Sequence, residues 1–174
     1  ARTAALYDLS RDLAAARDVR TVYLALLRHA REALHNAMAV FDHEGTSVSP
    51  VERSPDFPAS DHETAVADWV LRNSQPAGRG TDTLPGAAGY YIPVRTDRAV
   101  YAVFGVIPAE PSVKLALDDR RLLESFAGQA AAAIERVRMS EEAQKTRLLE
   151  EKEKLQSALF NSISHDLRTP LVSI

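Results

Sequence analysis

The sequence predicts an α+β fold in which an antiparallel sheet is flanked by helices and a long helix follows it. Three observations carry this. Runs with strand character come in adjacent pairs, 37–43 with 46–52 and 90–96 with 99–109. Helical patterns separate the pairs rather than the single strands, so the pairs read as hairpins and not as βαβ units. From about Asp118 a helical pattern continues to Leu167 with a single Gly and no Pro.

Residues 3–16 form the first predicted helix. Leu6, Leu9, Leu13 and Ala16 recur three, four and three apart, the spacing of a coiled-coil seam. Residues 1–17 are therefore expected to act as a linker and dimerisation helix; burial of the stripe on the chain's own domain is the alternative. Asp18 is a candidate N-cap for a second helix that Asn36 would stop. Val22, Leu26, His29, Ala30 and Ala33 share one face of it, wide enough to lie on a sheet.

"AMAVFDH" then reads as a strand, Glu44-Gly45 as a turn and "TSVSPVE" as the return strand. The prolines of "RSPDFPAS" predict a loop. Ser60 with Glu63 matches a capping box that starts a helix over 61–74. "QPAGRGTDTLPGAAG" reads as loop, and "YYIPVRT" with "AVYAVFGVIPA" as a second hairpin around Asp97-Arg98. In its second strand Val100, Ala102, Phe104 and Val106 alternate with Tyr101, Val103, Gly105 and Ile107. Both faces are apolar, so this strand should be central and covered on both sides.

In the long helix, the Ala-rich stretch 127–134 should pack closely on a neighbour. Charges dominate 140–154, where Glu141 with Lys145 and Glu150 with Lys154 are favourably spaced. A helix so polar is expected to bridge two domains, holding a thin seam of Leu148, Leu155 and Leu159. The first and the long helix both leave the sheet domain, so a shift of one is expected to reach the other through the sheet.

Composition narrows the function. The 174 residues are 45% hydrophobic, enough for one domain with additional helix. A net charge of −3 without a dense basic patch gives no support to nucleic-acid binding. The absence of Cys excludes disulfides, thiol catalysis and Cys-based metal sites. His29 and His35, and His43 and His62, do not have metal-ligand spacing on one helix face, so no metal is expected. The apolar run 99–109 is shorter than the ~20 residues that span a bilayer. The opening "ARTAALYDLS" has no apolar central run and reads as an internal position of a longer protein.

The chemistry concentrates in "SISHDLRTPL". Leu159, Ile163, Leu167 and Leu171, with Ile174 beyond, form one apolar stripe. His165 lies about 160° around the helix from Leu167, away from the stripe and toward solvent. Asp166 follows it directly, and a carboxylate that reaches an imidazole N–H orients the ring and raises the basicity of the far nitrogen. Thr169 lies one turn on, where its hydroxyl could hold a water. Pro170 has no N–H for the carbonyl of Asp166 and should bend the helix there.

Ser164 to Leu171 resembles the phosphoacceptor motif of sensor histidine kinases at all eight positions. The resemblance implies that His165 accepts the γ-phosphoryl group of ATP, Asp166 is its general base and Thr169 assists the reverse phosphatase reaction. It also implies that 158–174 begin the first helix of a dimeric four-helix bundle, cut within that helix. "RTAALYDLSRDLAAAR", "NSQPAGRGTDTLPGAAGYYIPV" and "FAGQAAAAIERVRMSEEA" resemble Kdp-type potassium sensor kinases after their last transmembrane helix. That implies a GAF-like sensory domain over 18–136 and a coiled-coil signalling helix over 137–157. It further implies a homodimer, a response regulator as phosphoryl acceptor, and a cytoplasmic position in an inner-membrane protein whose transmembrane helices lie outside this segment. No P-loop or Gly-rich ATP lid is present, so ATP would bind another domain of the parent and this segment alone should be inactive.

A GAF domain can enclose a small ligand, and His43, Trp69, Tyr90 and Tyr91 are candidate pocket residues, although core packing would explain the aromatics as well. Adjacent tyrosines on a strand face opposite ways, so only one can line a given pocket. The absence of Cys argues against an attached bilin, and a nucleotide stays open. The predicted strands are fewer than a full GAF sheet has, and the stretch 51–60 is where one could be shortened. A signal relay to His165, a ligand-binding module and a purely structural dimerisation element are the three readings.

Overall fold

The structure, a computed structural model, describes residues 2–58 and 60–172. The expectations for the side chain of Leu171 and for Ile174 lie outside the described residues. The elements are α1 (Arg2–Ala15), α2 (Val19–Leu34), β1 (Ala37–Glu44), β2 (Ser47–Arg53), α3 (Asp61–Asn73), β3 (Ala77–Gly78), β4 (Tyr90–Arg95), β5 (Val100–Ile107) and α4 (Leu117–Val172). The strands pair antiparallel in the order β2-β1-β5-β4-β3. The chain divides into two units, with the boundary after Val137.

Both predicted hairpins form, and β5 is central, covered on both faces. One face carries Met38, Val40, Ile92, Phe104 and Val106 under α1, α2 and the first part of α4. The other carries Ala39, Phe41, Tyr91 and Val103 under α3, with Phe57 closing one side. Prolines sit where a strand can spare a donor. Pro50 is on the edge strand β2, beside a register shift, and Pro93 lies beyond the two residues that β3 pairs with β4.

The caps follow from side-chain chemistry. Asp18 accepts the N–H of Thr21 at 2.8 Å, as an N-cap should. The stop of α2 is His35 rather than Asn36: His35 takes the left-handed conformation and gives its N–H to the carbonyl of Arg31. Asn36 instead accepts the N–H of Ala109 at 3.2 Å.

Three further sequence expectations change. Leu9, Leu13 and Ala16 do not form a seam for a partner helix; they are buried in the core against α2 and α4. Truncating such a leucine costs ~2–5 kcal/mol, which makes α1 part of the domain rather than a linker. The fifth strand is β3, inside the stretch read as loop, and not a shortened strand between 51 and 60. Two residues carry no alternation, so periodicity could not reveal it. Lastly, α1 and α4 lie on the same face of the sheet, so no sheet separates them.

Candidate functional site

The second unit is described by itself. His165 and Asp166 lie on α4 with side chains 83% and 79% exposed. His165 Nδ1 stands 3.8 Å from Asp166 Oδ1, an ion-pair distance too long for a hydrogen bond. Both side chains are largely in water. The Thr169 hydroxyl donates to the carbonyl of His165 at 3.1 Å, which places it one turn below the imidazole. The helix continues through Pro170 to Val172. Leu155 and Phe160 are 71% and 72% exposed, and Leu148, Leu159, Ile163 and Leu167 are exposed with them. Phe160 was not singled out from the sequence. Its three-residue spacing to Ile163 and the further four to Leu167 was the available signal.

In the first unit the polar centre is Glu63, in the first turn of α3 and only 4% exposed. Ser60 caps this helix, accepting the N–H of Glu63 at 3.1 Å. The carboxylate, however, does not complete the predicted box. One oxygen accepts the N–H of Ala88 at 2.9 Å, and the other accepts the N–H of Gly89 at 3.1 Å and the hydroxyl of Tyr91. Gly105 lies opposite Tyr91 on β5, and any side chain there would strike the phenol ring. Burial, then the bond to Glu63, pushes the Tyr91 hydroxyl well above its ordinary value. Beside this cluster a cleft of ≈ 700 Å³ is lined by His62, Glu63, Arg79, Thr81, Ala88 and Lys114, among others.

The four pocket candidates do not come together. His43 is exposed at the end of β1. Tyr90 and Tyr91 face opposite sides of the sheet, as their adjacency requires. Tyr90 packs under the Arg120 guanidinium, 5.0 Å from its ring centre, and burial with the nearby Glu124 charge pushes its hydroxyl up to about 12. Trp69 is half-buried against the α3 core, and none of the four lines the cleft. Glu63 is the residue that sequence reasoning missed, because its match to a capping box assigned it a different partner. Among the described residues no group of His, Asp and Glu could hold a metal, and no helix is long and apolar enough to cross a membrane.

The GAF-domain family model matches residues 9–136. This chain belongs to the GAF domain family. The match begins at residue 9, so the second half of α1, with the buried Leu9 and Leu13, falls inside the GAF domain. A solved GAF domain of the potassium sensor histidine kinase KdpD from Escherichia coli superposes with a TM-score of 0.71 at 26% identity, covering 80% of this chain and 97% of that one. Over 176 residues the chain is 30% identical to the sensor protein KdpD of Escherichia coli strain K12, covering 98% of this chain and 19% of the relative. It is 40% identical over 115 residues to the sensor protein KdpD of Clostridium acetobutylicum, covering 66% of this chain and 13% of the relative. The chain thus spans a fifth or less of the length of these curated relatives. A methyl-accepting chemotaxis protein shares the GAF fold alone, at 19% identity and a TM-score of 0.60.

Proposed function

We propose that this chain is the signal-relay segment of a sensor histidine kinase, in which the GAF domain passes a signal along α4 to His165. The observation that supports it is that His165 and Asp166 stand largely exposed on the same helix that supplies Leu123, Phe126 and Ile134 to the GAF core. An imidazole in water is reachable by a donor domain, and a helix rooted in a core moves with it.

In this reading the far nitrogen, Nε2, attacks the γ-phosphorus of ATP held by another domain of the parent. The P–O bond to ADP breaks, ADP leaves with the electron pair, and the imidazole proton passes to solvent or to Asp166. Asp166 orients the ring through Nδ1. Thr169 would position water for the reverse reaction. The phosphoryl group then goes to an aspartate of a response regulator, in potassium or osmotic regulation as the likeness to KdpD suggests. The exposed apolar side chains of α4 suit a homodimer, and the parent would sit in the inner membrane with this segment on the cytoplasmic side.

The test mixes this chain with the ATP-binding domain of its parent and labelled ATP. The expected product is an acid-labile label that maps to His165, formed more slowly in Asp166→Asn. An acid-stable label, or one mapping elsewhere, would overturn the assignment.

A second reading, a GAF ligand site for a nucleotide or another anion, draws on the cleft flanked by Arg79 and Lys114. Against it, the buried carboxylate of Glu63 already consumes the N–H of Ala88 at the cleft wall and that of the next residue, Gly89. Thermal stabilisation by a nucleotide that Arg79→Ala abolishes would favour it; no shift at millimolar nucleotide would dismiss it.

A further inference from the structure

Helix α1 ends without a basic residue of its own in the last turn. Its final carbonyls carry the negative end of the helix dipole and need donors. The N–H of Ala16 supplies one, to the carbonyl of Leu13 at 3.1 Å. The other comes from far along the chain. Arg136, on α4, places Nη2 2.7 Å from the carbonyl of Leu13 and 3.3 Å from that of Ala16. A single guanidinium therefore closes the end of one helix from the side of another.

We propose that Arg136 is a positioning residue that latches the end of α1 directly to α4, so that displacement of α1 reaches the histidine-bearing helix without passing through the sheet. Two further facts fit this. Asp12, in the last turn of α1, ties that turn to α2 and not to the sheet: buried His29 donates to its carboxylate at 2.8 Å, and Arg28 pairs with the same group. Leu9 and Leu13 share one core cluster with α4 residues such as Phe126 and Ile134, so beside the latch the two helices meet through apolar packing and not through a shared strand. Apolar packing is non-directional, whereas the two bonds from one arm of the guanidinium fork are directional and add a register constraint between α1 and α4. Arg136 itself is exposed, so replacing it opens no cavity.

The decisive experiment is amide hydrogen exchange on this chain, wild type against Arg136→Gln. The latch predicts that amides of α1 exchange about five- to tenfold faster, the loss expected for one charge-assisted bond to a helix end, while those of β1 and β5 do not change. Arg136→Lys, which keeps the charge without the fork, should fall between. Unchanged exchange in α1, or an equal acceleration in α1, β1 and β5, overturns the proposal. The signalling half rests on the phosphorelay reading. In the full-length parent, Arg136→Gln should still take label from ATP but lose at least half of its response range to stimulus. A normal range contradicts the latch as a transmitter, whereas a wild-type parent that takes no label on His165 refutes the phosphorelay reading and leaves the exchange result to decide the latch.

Discussion

Glu63 sits in the first turn of α3, where a carboxylate already gains from the helix dipole, and it spends that charge on the loop leading into β4. Two successive backbone N–H groups and a phenol converge on it; the bonds from Gly89 and Tyr91 are buried and that from Ala88 is half-buried at the cleft wall. Glu63→Gln leaves one of these donors facing an amide N–H and should destabilise the domain by about 1–3 kcal/mol in urea unfolding. A change under about 0.5 kcal/mol would mean that water already serves these groups. Tyr90 and Tyr91 set an alkaline limit. Their hydroxyls are raised above the ordinary value near 10, Tyr90 to about 12. The stability they contribute is full below pH ~10, where the unfolded tyrosines are also protonated, and falls as pH rises through 10 toward the folded values. The melting temperature should hold from pH 7 to 9 and drop steeply above 10. The drop should be smaller in Tyr91→Phe, and an equal drop in that variant would assign the limit to other groups.

At the scale of elements, legibility followed periodicity. The hairpins, α3 and the long α4 were readable because alternation and caps repeat over six or more residues, as in Val100–Ile107. β3 was not, because two residues hold no pattern, and neither was the fate of Leu9 and Leu13. A three-four stripe looks the same whether it meets a partner chain or its own sheet, and only the surrounding core decides. The His165–Asp166–Thr169 constellation was legible as a motif, since its residues are neighbours in sequence. The Glu63 cluster was not, because its partners come from 88–91 and nothing local announces them. The second unit leaves its own leucine stripe exposed. Leu148, Leu155 and Leu159 are exposed along one helix, more apolar surface than a lone helix holds comfortably in water. Changing all three to Lys should convert a dimer to a monomer in light scattering with the GAF domain still folded. A wild-type chain that is monomeric at high concentration would contradict the seam.

In the whole molecule one helix, α4, runs from the GAF core to an exposed imidazole. The GAF core holds the start of α4 with Leu123, Phe126, Ala130 and Ile134, and the same helix carries His165. Between them α4 carries the exposed polar residues Glu141, Gln144 and Glu151; in the proposed dimer they would weaken a seam and favour two packings of similar energy over a single locked one. The claim on which all of this depends is that His165 receives the phosphoryl group. It is tested by label incorporation from ATP in the full-length parent, wild type against His165→Gln, with circular dichroism confirming that the variant folds. The account predicts a folded protein, because the side chain is in solvent, and complete loss of label. Label persisting in the folded His165→Gln parent would contradict it.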